Sequence, residues 1–75
     1  MRNNMNIYKS TYTDKKTGVE VDPFFILHKA KNLNAANQIA ISHLYFYYSN
    51  LGKSTDFLNK LNKLVKITHI RLKKL

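Results

Sequence analysis

Ile7-Tyr8-Lys9-Ser10-Thr11-Tyr12-Thr13, then Asp14-Lys15-Lys16-Thr17-Gly18, then Val19-Glu20-Val21: the reading of this stretch decides the fold. Tyr8, Ser10 and Tyr12 fall on one side of an extended chain, and Ile7, Lys9 and Thr11 on the other. This period of two marks a strand. Asp14 suits the first position of a turn, and Gly18 can take the left-handed conformation that closes a hairpin through a G1 bulge. Val19, Glu20 and Val21 resume the alternation, so the segment is a β-hairpin.

Outward from the hairpin, Asp22-Pro23 interrupts the return strand: proline has no N–H to offer a central ladder, so the chain is bent or lies at a sheet edge there. Phe24 to Leu27 is then an apolar run of strand length. The competing reading, with Asp22 as N-cap and Pro23 opening a helix, is weaker because a separate helix start follows. Asn32 can cap the free N–H groups of a first turn. Leu33, Ala36, Ala40, Leu44, Tyr47 and Leu51 recur at helical steps of three and four, and Gly52 stands where a helix ends. From Asn32 to Gly52 there is no Lys, Arg, Asp or Glu.

Ile39, His43 and Phe46 widen the apolar stripe of this helix on one side, and Ile41 and Tyr48 on the other. Asn34, Gln38, Ser42, Tyr45 and Ser49 form its polar strip, which makes Tyr45 the residue expected to be most exposed. One sheet face does not cover so wide a stripe, and the remainder suits a partner.

Ser54-Thr55-Asp56 is a second capping cluster. Phe57, Leu58, Leu61, Leu64 and Val65 continue with helical spacing, while the β-branched Val65, Ile67, Thr68 and Ile70 favour a last strand to about Leu72. The alternative is one amphipathic helix over residues 55–75. The expected fold is therefore α+β: an N-terminal hairpin and a C-terminal strand in a small antiparallel sheet, covered by one long uncharged helix and a short basic one.

The 75 residues make a single domain, 1–75, with residues 1–5 expected to fray. A hydrophobic content of 44% is too high for a disordered tail. A core of this size supplies only ~3–5 kcal/mol of net stability, and without cysteine no disulfide adds to it. No signal peptide follows Met1, no stretch is long enough to span a membrane, and the lack of cysteine fits a reducing, cytoplasmic setting.

Catalytic and metal constellations are not visible. The four acids, Asp14, Glu20, Asp22 and Asp56, are scattered. Glu20 and Asp22 share a strand face but read as solvent-facing charges. His28, His43 and His69 belong to three different elements without metal-ligand spacing. The two glycines both have turn roles, so no phosphate loop exists. The hydroxyl residues have no base beside them in sequence. The chain is accordingly read as a non-enzyme with no cofactor and no metal.

What remains is charge. Thirteen Lys and Arg against four Asp and Glu leave a formal net charge of +9. Such an excess attracts polyanions. Lys60, Lys63, Lys66, Arg71, Lys73 and Lys74 crowd the C-terminal part with no acid after Asp56. If residues 60–66 are helical, Lys60, Lys63 and Lys66 share one face, suited to phosphate contacts or simply to solvent. Lys9, Lys15 and Lys16 form a second group on the hairpin, beside Tyr8 and Tyr12. Exposed, those tyrosines would stack on bases; buried, they would cover the sheet.

The leading expectation is DNA or RNA binding through phosphate contacts. Eleven lysines to two arginines favour point-charge contacts over bidentate base reading. The alternative is a protein-interaction module, of the kind small basic phage or mobile-element inhibitors represent. It would form a homodimer, or dock on an acidic or nucleic-acid-handling protein, through Leu44, Tyr45, Phe46, Tyr47 and Tyr48. A membrane-surface role requires the single-helix reading of residues 55–75 and is disfavoured.

Overall fold

The computed structural model describes residues 5–74. Three strands and three helices follow in the order β1 (Asn6–Asp14), β2 (Glu20–Ala30), α1 (Leu33–Asn50), α2 (Thr55–Asn59), α3 (Leu61–Leu64) and β3 (Val65–Lys74). The strands form one antiparallel sheet in the order β2-β1-β3, so the hairpin strand β1 lies in the middle and the chain's last strand closes its far side. This is the α+β architecture that the alternating hairpin and the β-branched C-terminal segment predict. Residues 1–4 of the expected frayed start lie outside the described residues; Met5, the last of that start, is half-buried.

Why β1 takes the centre is visible in its side chains. Asn6, Tyr8, Ser10 and Tyr12 are buried beneath the helices, while Ile7, Lys9, Thr11 and Thr13 occupy the opposite face and are half-covered by their cross-strand neighbours. The hairpin turn forms as its residues require. Asp14 accepts from the backbone N–H groups of Lys16 and Thr17 at 2.7 and 3.0 Å, and Gly18 has φ 76°.

β2 runs through Pro23 as one outer strand, bent there as the proline requires. Four residues, Val21 to Phe24, stand opposite Tyr12 alone, between the pairs Thr13↔Glu20 and Thr11↔Phe25. This wide bulge lies on an outer strand, where a missing ladder N–H costs little. It contains the cis Asp22–Pro23 peptide and Phe24 at φ 73°. The Tyr48 hydroxyl of α1 holds it by donating to the Asp22 carbonyl at 2.6 Å.

α1 begins where Asn32 accepts from the Ala35 N–H at 2.9 Å and ends before Gly52 at φ 82°. Its buried residues are Ala36, Ala40 and Leu44. The two alanines let the helix backbone come close to the sheet, and the Tyr12 hydroxyl donates directly to the Ala40 carbonyl at 2.7 Å.

The expected single basic helix is two short pieces. Ser54 caps α2 through the Phe57 N–H, and Lys60 joins α2 to α3. Leu58, Leu61 and Val65 drop into the main core with Tyr12, Ala40 and Leu44. A smaller cluster of Tyr8, Ala30 and Ala36 lies toward the other end of α1. Because residues 65–74 are strand, the continuous helix over 55–75, on which the membrane-surface reading depends, does not form. Among the described residues, no helix is long and apolar enough to cross a membrane.

Candidate nucleic-acid interface

The helices cover only one face of the sheet. On the open face the register sets side chains in rows across the three strands. Lys29, Ile7 and Lys73 form one row; Leu27, Lys9 and Ile70 the next; then Phe25, Thr11 and Thr68; then Glu20, Thr13 and Lys66. Four lysines and one acid therefore share this face. The chain from Thr13 to Ile7 spans roughly 20 Å at about 3.3 Å per residue. The Lys9 ammonium lies 4.6 Å from the centre of the Phe25 ring, a diagonal cation–π contact.

Further lysines gather at both ends of the sheet. At the hairpin end, the Lys15 ammonium donates to the Asn62 carbonyl at 2.6 Å and its backbone N–H donates to Leu64 at 2.9 Å. These bonds draw Lys15 and Lys16 toward Lys63 and Lys66, joining two groups far apart in sequence. At the other end, Lys74 pairs with Asn6, whose side chain donates to the Lys31 carbonyl at 3.0 Å, beside Lys29 and Lys73.

Lys60, Lys63 and Lys66 do not form one helical face, since the helix is broken at Lys60 and Lys66 belongs to β3. Arg71 pairs with Tyr8, on the side opposite the open face, and is exposed. Lys29, not among the cations singled out from the sequence, joins this face, and the alternation Phe25, Leu27, Lys29 carries the signal for it.

Tyr8 and Tyr12 are buried and cannot stack on bases. Burial pushes the Tyr12 phenol up to about 12, so it remains a hydrogen-bond donor through the neutral range. Of the aromatic helix residues, Leu44 is in the core. Tyr48 packs edge-on against Phe57 with ring centres 5.5 Å apart, and Tyr47 is half-buried against Tyr48. Phe46, 64% exposed, exceeds Tyr45 at 41%, the reverse of the expected order. Tyr45 and Ile41 line a groove of about 500 Å³ between α1, the two short helices and β3, with Lys15 and Lys66 among its walls.

The histidines divide. His43 is exposed on α1, whereas His28 and His69 meet on either side of Ser10, each with a ring nitrogen 2.7 Å from its hydroxyl. His69 Nε2 lies 2.9 Å from Asn37 Oδ1, which can only accept. The proton on that nitrogen leaves Nδ1 as acceptor for the Ser10 O–H, and His28 Nε2 must then donate to Ser10. One directed chain, His28 to Ser10 to His69 to Asn37, runs across the sheet and up to the helix. Ser10 is 0% exposed, and both its proton and its accepting oxygen are committed within the chain. The arrangement therefore fixes strand and helix positions rather than presenting a nucleophile. Burial holds His69 below its ordinary value. Burial, then the nearby His69 and His43, does the same for His28. Among the described residues, no three His, Cys, Asp or Glu side chains come together to hold a metal ion.

Compared with known proteins, the chain matches no family model, no curated protein and no solved structure.

Proposed function

We propose that this domain binds nucleic acid without catalysis, through lysine contacts to phosphates along the open sheet face and its two ends. The observation that supports this reading is the placement of Lys9, Lys29, Lys66 and Lys73 on one face, whose paired rows hold one acid, Glu20, with exposed Asp22 in the adjoining bulge. Asp14, the nearest other carboxylate along β1, is tied to backbone N–H groups in the turn. A positive strip of this kind releases condensed counterions when phosphates meet it. A titration of a fluorescent DNA or RNA oligonucleotide at increasing salt tests the reading. The logarithm of affinity should fall linearly with the logarithm of salt, by about 0.7 for each phosphate neutralised on a single strand. Absence of binding at low ionic strength would discard it.

A second reading has one observation in its favour, the exposure of Phe46 on the uncharged α1 and of Leu51 just past its end. A protein partner, or a second copy of the chain, would cover such apolar surface. Association of that kind persists in high salt and is lost with Phe46→Asp, as light scattering would report.

A further inference from the structure

We infer that the open sheet face is a site for single-stranded nucleic acid, with a base stacked on Phe25 and the flanking phosphates held by Lys9, Lys29, Lys66 and Lys73. The inference rests on the nucleic-acid reading above and narrows it to one ligand form and one surface.

Three features of the face select the single strand. The first is its middle, which is apolar as well as cationic: Phe25, Leu27 and Ile70 are 46%, 61% and 53% exposed. A duplex would set sugar-phosphate against these side chains, desolvating phosphates with no polar partner. An unpaired strand offers base faces that bury apolar and aromatic surface, without dependence on sequence.

The second is width. The major groove, about 12 Å across, admits one helix or a two-stranded ribbon. Three strands at about 4.8 Å spacing, with side chains on both outer strands, are too broad to enter it flat. The third is the order of groups. Lysines stand at both ends of the apolar middle, and Lys9 lies between them with its ammonium against one side of the Phe25 ring. A base on the ring thus brings its own phosphate within reach of a cation. The roughly 20 Å between end rows suits a strand near the short end of the about 4–16 nucleotides that small β-domains cover.

The charge decides against a protein partner on this face, since four lysines around an apolar middle match a ligand with a regular series of anions. The acids of β2, Glu20 opposite Thr13 and Asp22 in the bulge, both precede the Phe25 row, at the margin of the face.

The experiment compares a 12-nucleotide oligo-dT, a 12-nucleotide oligo-U and a 12-base-pair duplex by fluorescence anisotropy, using the full chain, Phe25→Ala and the double variant Lys29→Gln, Lys73→Gln. Each substituted side chain is exposed, and circular dichroism confirms the fold of each variant. The expected result is tighter single-strand than duplex binding. Phe25→Ala should weaken single-strand binding about tenfold and leave the duplex unchanged. The double lysine variant should lower the single-strand salt slope by about 1.4.

Duplex binding equal to or tighter than single-strand binding, with Phe25→Ala neutral, overturns the inference and leaves the phosphate-binding reading standing. Loss of all binding to every probe overturns both. Light scattering that shows a dimer broken by Leu27→Lys assigns the face to a second copy and overturns the inference likewise.

Discussion

Ser10 joins two strand histidines and, through His69 and Asn37, adds a polar tie to the long helix beside those of Tyr12 and Tyr48. With alanine there, the His28 N–H and the His69 ring nitrogen both lose the partner that the fully buried Ser10 supplies. Ser10→Ala should cost about 1–3 kcal/mol in urea unfolding, although it removes a single oxygen.

The same chain of hydrogen bonds makes stability depend on pH, and the direction follows from the two imidazoles. Both bind a proton less readily folded than their ordinary value of 6.5. The unfolded chain therefore holds more protons as pH falls below that value, and folding stability drops with it. Above about 6.5 this loss is absent. Urea midpoints between pH 5 and 8 should decline only on the acid side, and His28→Gln with His69→Gln should flatten that decline. Protonated His28 would also point Nδ1–H, buried and without a partner, at nothing that accepts it.

At the scale of elements, the turns and caps are where sequence and structure agree most closely, because their chemistry is local. Asn32, Ser54, Gly18 and Gly52 each occupy the position that side-chain capping or a positive φ requires. Gly18→Ala meets open space, so its whole effect is conformational and should cost about 1 kcal/mol in thermal or urea unfolding. Asn32→Ala should remove about 1 kcal/mol through the lost Ala35 N–H bond.

The features that were not legible are those that a distant segment decides. The bend at Pro23 follows from the proline itself, but the Tyr48 hydroxyl that pins it comes from α1, 26 residues away. Leu64 and Val65 carry helical spacing and β-branching at one boundary, and only pairing with β1 settles that Lys66 is extended. The binding face was half legible. Lys9, Lys66 and Lys73 were singled out as cations, but their common face depends on a register between residues about sixty positions apart. His28 and His69 meet for the same reason, on two strands that do not adjoin one another.

For the whole molecule, β1 takes one neighbour from the adjacent hairpin and the other from the far end of the chain. Pairing across that separation is slow to find and is paid for in loop entropy before any contact forms. Val65–Lys74 supplies one entire side of the central strand and the Val65 and Ile67 contacts of the core. Deleting residues 65–75 should abolish the cooperative unfolding transition altogether, where a tail of similar charge but no ladder would leave it intact.

The connection between Gly52 and Lys53 is exposed and carries none of the strand pairing. A chain severed there yields a hairpin with its long helix and a separate piece holding the two short helices and the last strand. Neither fragment can complete the sheet alone, but each presents the edge that the other lacks. Co-expressed on two fusion partners, the halves are a natural pair for a split reporter, with reassembly driven by the ladder between β1 and β3.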